Sequence, residues 1–151
     1  MPAENNLLWT DAEVQNIIQV ARTWNGVRFR HQGRSRSGVD CVGLFSCIGT
    51  EVGRPDPIPN NYSHNPDTRL LMTEMKKRFD EVLIKDMLPG DLLMMRFENA
   101  FGKASNQHIA LRTDCGIIHA AAMYRKVCEH SLTPEWFNRI EHVFRFKRVA
   151  A

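Results

Sequence analysis

The chain has 151 residues, 43% of them apolar and 25% charged, and a formal net charge of +3. That length is expected to form one domain over residues 1–151 with a core that needs no staples, and the composition excludes a disordered chain. The charge is too small for a nucleic-acid footprint, and no apolar run is long enough to span a membrane, so neither partner is expected.

Met1-Pro2-Ala3-Glu4-Asn5-Asn6 lacks the basic and apolar regions of a signal peptide, which predicts a protein kept in the cytoplasm. There the four cysteines, Cys41, Cys47, Cys115 and Cys128, are expected as thiols rather than disulfides. Thr10 and Glu13 form a capping box ahead of Val14, Ile17, Ile18 and Ala21. That pattern predicts a helix to about Trp24, closed by Asn25-Gly26. An arginine-rich stretch, Arg28 to Ser37, leads into Gly38-Val39-Asp40-Cys41. From Cys41, the positions Leu44, Phe45, Ile48 and Val52 mark one face of a second helix, which Gly53 and Pro55 stop. A proline-rich loop, Pro55 to Asp67, and a helix over Thr68–Phe79 follow. The remainder reads as strands: Glu81–Ile84, then Leu92–Phe97 after the turn Pro89-Gly90-Asp91, Gln107–Arg112, Ile117–Ala121, Arg125–His130 and Ile140–Lys147. Helices first and antiparallel strands after them predict an α+β fold.

Cys41 is the candidate nucleophile. A helix N-terminus offers unpaired N–H groups and the positive end of the macrodipole, which favour a thiolate and can hold an oxyanion. Cys41 is therefore expected to alkylate first at neutral pH. Cys47, turned about 240° around the helix, reads as a small buried hydrophobe. A base must come from elsewhere in the chain, and six histidines compete: His31, His64, His108, His119, His130 and His142.

Several blocks together decide among them. Gly26-Val27-Arg28-Phe29 through Gly33, then Gly38-Val39-Asp40-Cys41-Val42-Gly43-Leu44, resembles the catalytic block of the NlpC/P60 cysteine peptidases. Leu88-Pro89-Gly90-Asp91-Leu92 is similar to that family's turn before a strand. Gln107-His108-Ile109-Ala110-Leu111 resembles its histidine strand, and Gly116-Ile117-Ile118-His119-Ala120 the strand with the third polar residue. The blocks stand in family order over most of residues 12 to 122. His31-Gln32-Gly33-Arg34 before Asp40-Cys41 looks most like the phage-tail branch.

The resemblance implies a papain-like fold with N-terminal helices packed on a central antiparallel sheet. It implies Cys41, His108 and His119 as the catalytic set and hydrolysis of peptidoglycan stem peptides, usually between D-glutamate and diaminopimelate. Thiolate attack with a histidine proton shuttle requires no metal or cofactor. Phage tail proteins are the expected protein partners. One position departs from the family: the usual tyrosine twelve residues before the cysteine is Phe29, which has no hydroxyl. Either Gln32, His31 or Tyr62 remakes its contacts, or activity is weak.

Two other functions compete with the peptidase. A structural tail component would keep the fold with little activity, and a papain-like acyltransferase would move acyl chains, although no membrane-facing helix is apparent. Asp40 caps the Cys41 helix and is a candidate for binding a substrate amine, while Arg34, Gln32 and Tyr62 are the other candidate substrate contacts. The four residues Cys115, His119, Cys128 and His130 have a spacing that fits no common structural zinc site. His31, His64, His130 and His142 read as surface or satisfied histidines. If the strands of His108 and His119 form a hairpin, an even loop keeps both rings on one face: a two-residue loop sets them opposite, a four-residue loop diagonal. His119 would then accept the ring N–H of His108, and His108 is expected to face the Cys41 helix.

Overall fold

A computed structural model describes residues 10–54, 68–98 and 104–147. The expected loop Pro55 to Asp67, with Tyr62 and His64, lies outside them. Helix α1 (Asp11–Arg22) starts on the expected capping box: the Thr10 hydroxyl accepts the Glu13 N–H at 3.2 Å, and Glu13 accepts the Thr10 N–H at 3.0 Å. Its inner face buries Ile17, Ile18 and Ala21. Gly26, at φ +89°, turns the chain away two residues after Trp24. A short hairpin, β1 (Arg34–Ser35) and β2 (Gly38–Val39), delivers the chain to α2 (Cys41–Glu51). Helix α3 (Thr68–Arg78) runs directly into β3 (Phe79–Val82).

The other strands are β4 (Leu92–Glu98), β5 (Ala104–Arg112), β6 (Ile117–Ala121), β7 (Lys126–His130) and β8 (Ile140–Phe146), with a one-turn helix α4 (Pro134–Phe137) before β8. They form one antiparallel sheet in the order β3-β8-β4-β5-β6-β7. Side chains alternate across it. Leu92, Met94, Ile109, Leu111, Ile118, Ala120, Phe144 and Phe146 pack with α1, α2 and α3 into the larger core. Leu93, Met95, Ala110, Ile117 and Val143 point the other way, beneath Val82, Ile84, Leu132 and Trp136. The sheet is thus covered on both faces, which is why Leu92-Leu93-Met94-Met95 reads as an unbroken apolar run.

Three details differ from the expected elements. Strand β3 begins at Phe79 rather than Glu81, because Phe79 pairs with Phe146 and meets its ring edge-on at 5.1 Å. Residues Ile84–Asp86 form a 3-10 turn instead of a strand end. The β1–β2 hairpin and α4 are too short to carry a periodic signal. Among the described residues, no helix is long and apolar enough to cross a membrane.

Candidate active site

Asp40 builds the start of α2. One carboxylate oxygen accepts the Gly43 N–H at 2.7 Å, and the other accepts the Gln32 N–H at 2.8 Å. The first bond is an N-cap. The second holds Gln32 at φ +60°, a left-handed conformation that non-glycine side chains rarely adopt. One buried carboxylate therefore locks both the helix and the loop beside it. Gly43 completes the joint, because a Cβ there would collide with the carbonyl oxygen of Gly33.

The Cys41 thiol is half-buried at this helix start. Burial and, second, the charge of Asp40 push it up to about 12, against N–H hydrogen bonds from Ile109, Val42 and Cys41 itself that favour the thiolate. The expected pull of the helix start toward the thiolate is present but overridden. Desolvation outweighs the helix N-terminus, and the resting group is a protonated thiol. The Ile109 bond also locates the sulfur. Arg112 gives its N–H to Asp91 on the β4 side, so the alternation turns the Ile109 N–H toward β6. The described β5–β6 ladder covers only Leu111↔Ile118 and Arg112↔Ile117, and beyond it Cys41 takes the Ile109 donor.

The strands join through four residues, Thr113 to Gly116, which makes His108 and His119 diagonal neighbours on one face. His108 Nε2 lies 2.6 Å from His119 Nδ1. His119 Nε2 lies 2.7 Å from His130 Nε2, and His130 Nδ1 is 2.9 Å from the Ser131 carbonyl oxygen. The face itself differs from the expectation. His108 shares the side of Ala110, away from the helix layer, and its ring stacks on Phe97 at 4.5 Å. The link from β5 to α2 is made by the neighbouring residue, whose backbone N–H bonds the Cys41 sulfur. Burial, with the nearby His119, Arg139 and His130, holds His108 well below the usual histidine range. Burial, with His130 second, lowers His119 to about 3. Both rings are neutral at physiological pH.

The NlpC/P60 family model matches residues 26–145. The chain belongs to the NlpC/P60 family. Solved NlpC/P60 structures share its papain-like α+β fold. The NlpC/p60 domain of peptidoglycan hydrolase SagA is similar with a TM-score of 0.63 at 19% identity, over 88% of this chain and 98% of that one. A lipoprotein-like NLP/P60 protein from Staphylococcus aureus gives 0.68 at 18% identity, over 93% of this chain and 43% of its own. The peptidoglycan hydrolase RipB from Mycobacterium tuberculosis gives 0.59 at 22%, over 91% and 66%. This chain thus spans less than half of the staphylococcal protein. A search of the curated proteins finds no match.

The other expected residues fall around this NlpC/P60 frame as follows. Phe29 packs half-buried against the helix-side core, and its N–H bonds the Arg125 carbonyl at 2.8 Å. Gln32 is exposed beside Asp40, His31 is half-buried, and Tyr62 lies outside the described residues. Arg34 packs its stem over Gly43 and lines a cleft with Trp24, Ser46 and Cys47 on the flank of α2. Cys47 packs against the core and donates to the Arg34 carbonyl at 3.3 Å. His142 is 2.8 Å from Glu81.

The four-residue zinc set does not assemble. Cys115 sits instead with Arg22 and Glu129, at 3.3 and 3.4 Å. His119, Cys128 and His130 do cluster, but the two ring nitrogens at 2.7 Å are hydrogen-bonded. Two nitrogens on one tetrahedral zinc would stand about 3.3 Å apart, given Zn–N bonds of about 2.0–2.1 Å.

Sequence reading passed over His130 and the aromatic wall of Phe97, Tyr124 and Trp136 around the histidines. A signal for His130 existed. Cys128 and His130 are two apart on a strand, and Cys128 pairs with His119, so all three share a face.

Proposed function

We propose that this chain is a cysteine endopeptidase acting on peptidoglycan stem peptides at the bond between D-glutamate and diaminopimelate. The observation that carries the peptidase reading is the junction of α2 with β5. The Cys41 sulfur takes the N–H of Ile109, and the adjacent His108 is bonded at 2.6 Å to His119. His108 accepts the thiol proton on the ring nitrogen His119 does not use, and the sulfur attacks the amide carbon. Backbone N–H groups at the start of α2 hold the oxyanion. The C–N bond breaks as His108 passes its proton to the leaving amine. Water, deprotonated by His108, then hydrolyses the thioester. These steps call on no cofactor or metal.

The bond assignment rests on the family resemblance. The resemblance of His31-Gln32-Gly33-Arg34 to the phage-tail branch supports a place in a phage or phage-like tail that carries the enzyme from the cytoplasm to the wall. Asp40, Gln32, Arg34 and Tyr62 are the proposed substrate contacts. Digestion of purified peptidoglycan with mass analysis of the muropeptides tests this reading. Fragments with a newly freed diaminopimelate amine, absent with Cys41→Ala, are expected. Untouched peptides, or equal cleavage of unrelated unfolded proteins, would overturn it.

A weakly active structural tail component is favoured by one observation, the hydroxyl-free Phe29 packed on the core. If that position limits turnover, Phe29→Tyr raises the rate by roughly 100-fold, the lower end of what an oxyanion donor contributes.

A further inference from the structure

We propose that His130 is a positioning residue that sets the tautomer of all three histidines and leaves Nδ1 of His108 bare. Its use in catalysis rests on the peptidase reading above.

The direction of the chain follows from its far end. A neutral imidazole has one N–H and one lone pair. The Ser131 carbonyl, 2.9 Å from His130 Nδ1, can only accept, so the proton of His130 sits on Nδ1. His130 Nε2 is then a lone pair. At 2.7 Å, His119 must donate to it from Nε2. That leaves His119 Nδ1 as an acceptor, and His108 donates to it from Nε2 at 2.6 Å. Of the three lone pairs, the one that no ring in the chain donates to is His108 Nδ1, on the residue next to the Ile109 donor that holds the thiol. With all three rings neutral, the reverse order would set two lone pairs, His130 Nδ1 and the Ser131 oxygen, against each other.

The inner part of the chain is dry, while half-buried His130 forms its outer end. His119 is fully buried, with Trp136 at 4.9 Å and Tyr124 at 5.8 Å from its ring. Water that enters in place of half-buried His130 can donate as well as accept, so it fixes no direction. Without that acceptor His119 is free to protonate Nδ1 instead, which turns His108 into a ring with Nδ1–H that cannot receive the thiol proton. The Ser131 carbonyl thus acts across three side chains. Fixing the tautomer of a base is the task of the third residue in catalytic triads. Here that residue is itself ambiguous and needs a fourth.

Three variants separate orientation from simple packing. His130→Gln keeps an acceptor, His130→Ala has none, and His130→Lys can only donate. Nitrogen-15 spectra of the imidazoles at mildly alkaline pH read the tautomers directly. Wild type is expected to carry protons on Nδ1 of His130 and on Nε2 of His119 and His108. Alkylation of Cys41, followed on its own peptide, reads the availability of the base without any wall substrate. The expected order of rates is wild type, Gln, Ala, Lys, with Lys down roughly 100-fold, the lower end of what a general base contributes. A wild-type His119 protonated on Nδ1 would overturn the proposal. So would a folded His130→Lys protein that alkylates as fast as His130→Gln. Loss of peptidoglycan cleavage alone, with the tautomers and the order of rates intact, would count against the peptidase reading and leave this assignment standing.

Discussion

The thiol of Cys41 is pulled in opposite directions by the helix that carries it. Backbone N–H groups favour the thiolate, while burial and the Asp40 charge oppose it and win. The helix start and its aspartate cap were legible in Gly38-Val39-Asp40-Cys41, but burial comes from residues far along the chain and left no local signal. Removing the charge while keeping the side chain's size tests the balance. Asp40→Asn should move the alkylation midpoint of Cys41 to lower pH, and an unmoved midpoint would mean that Asp40 is electrostatically silent. The buried histidines carry a different signature. His119 falls from 6.5 to about 3 on folding, so the unfolded chain binds more protons below pH 6.5. Stability from this ring is complete above 6.5 and is lost as the pH falls toward 3. Urea midpoints at neutral pH and near pH 5 should therefore differ more in wild type than in His119→Gln. In activity, His119→Ala should cost less than Cys41→Ala or His108→Ala, with His119→Gln recovering part, because an orienting group does not break the bond.

Elements with enough length announced themselves. The capping box of α1, the 3.6-residue period of α2 and the extent of β6 all appear where the sequence places them. The hairpin parity that joins His108 to His119 was also legible, as two alternatives that the four-residue loop resolves. Hidden were the face of His108, which follows from the packing of both sheet layers, and β1, β2 and α4, which are too short to carry a periodic signal. The glycine two residues after Cys41 gives this joint a sharp test. Gly43→Ala forces a methyl into the Gly33 carbonyl, and overpacking of this kind costs roughly 1–3 kcal/mol. Chemical denaturation should detect that loss together with slower Cys41 alkylation. A fully stable variant would mean that the Gly33 loop can move aside.

Across the whole molecule, the site depends on β4 staying in register at the centre of the sheet. Asp91 fixes the entry to that strand from a buried position. It accepts the Leu88 N–H at 2.8 Å and binds Arg145 of β8 through Nε at 2.8 Å and Nη2 at 2.9 Å. Gly90 makes the preceding turn at φ +95°. The turn was readable from Pro89-Gly90-Asp91, whereas its partner, 54 residues away, was not. Removing one member of a buried ion pair typically costs about 3–5 kcal/mol. Asp91→Ala should lose about that much in a urea titration, and a loss under 1 kcal/mol would show that β4 is held by its apolar contacts alone. The central claim, that Cys41 attacks an amide and carries the acyl group, is tested most directly by acid quenching during turnover of a stem peptide and mapping the protein by mass. The account predicts the acyl half of the peptide as a thioester on the Cys41 fragment. Turnover that leaves Cys41 unmodified and persists undiminished in Cys41→Ala would contradict it.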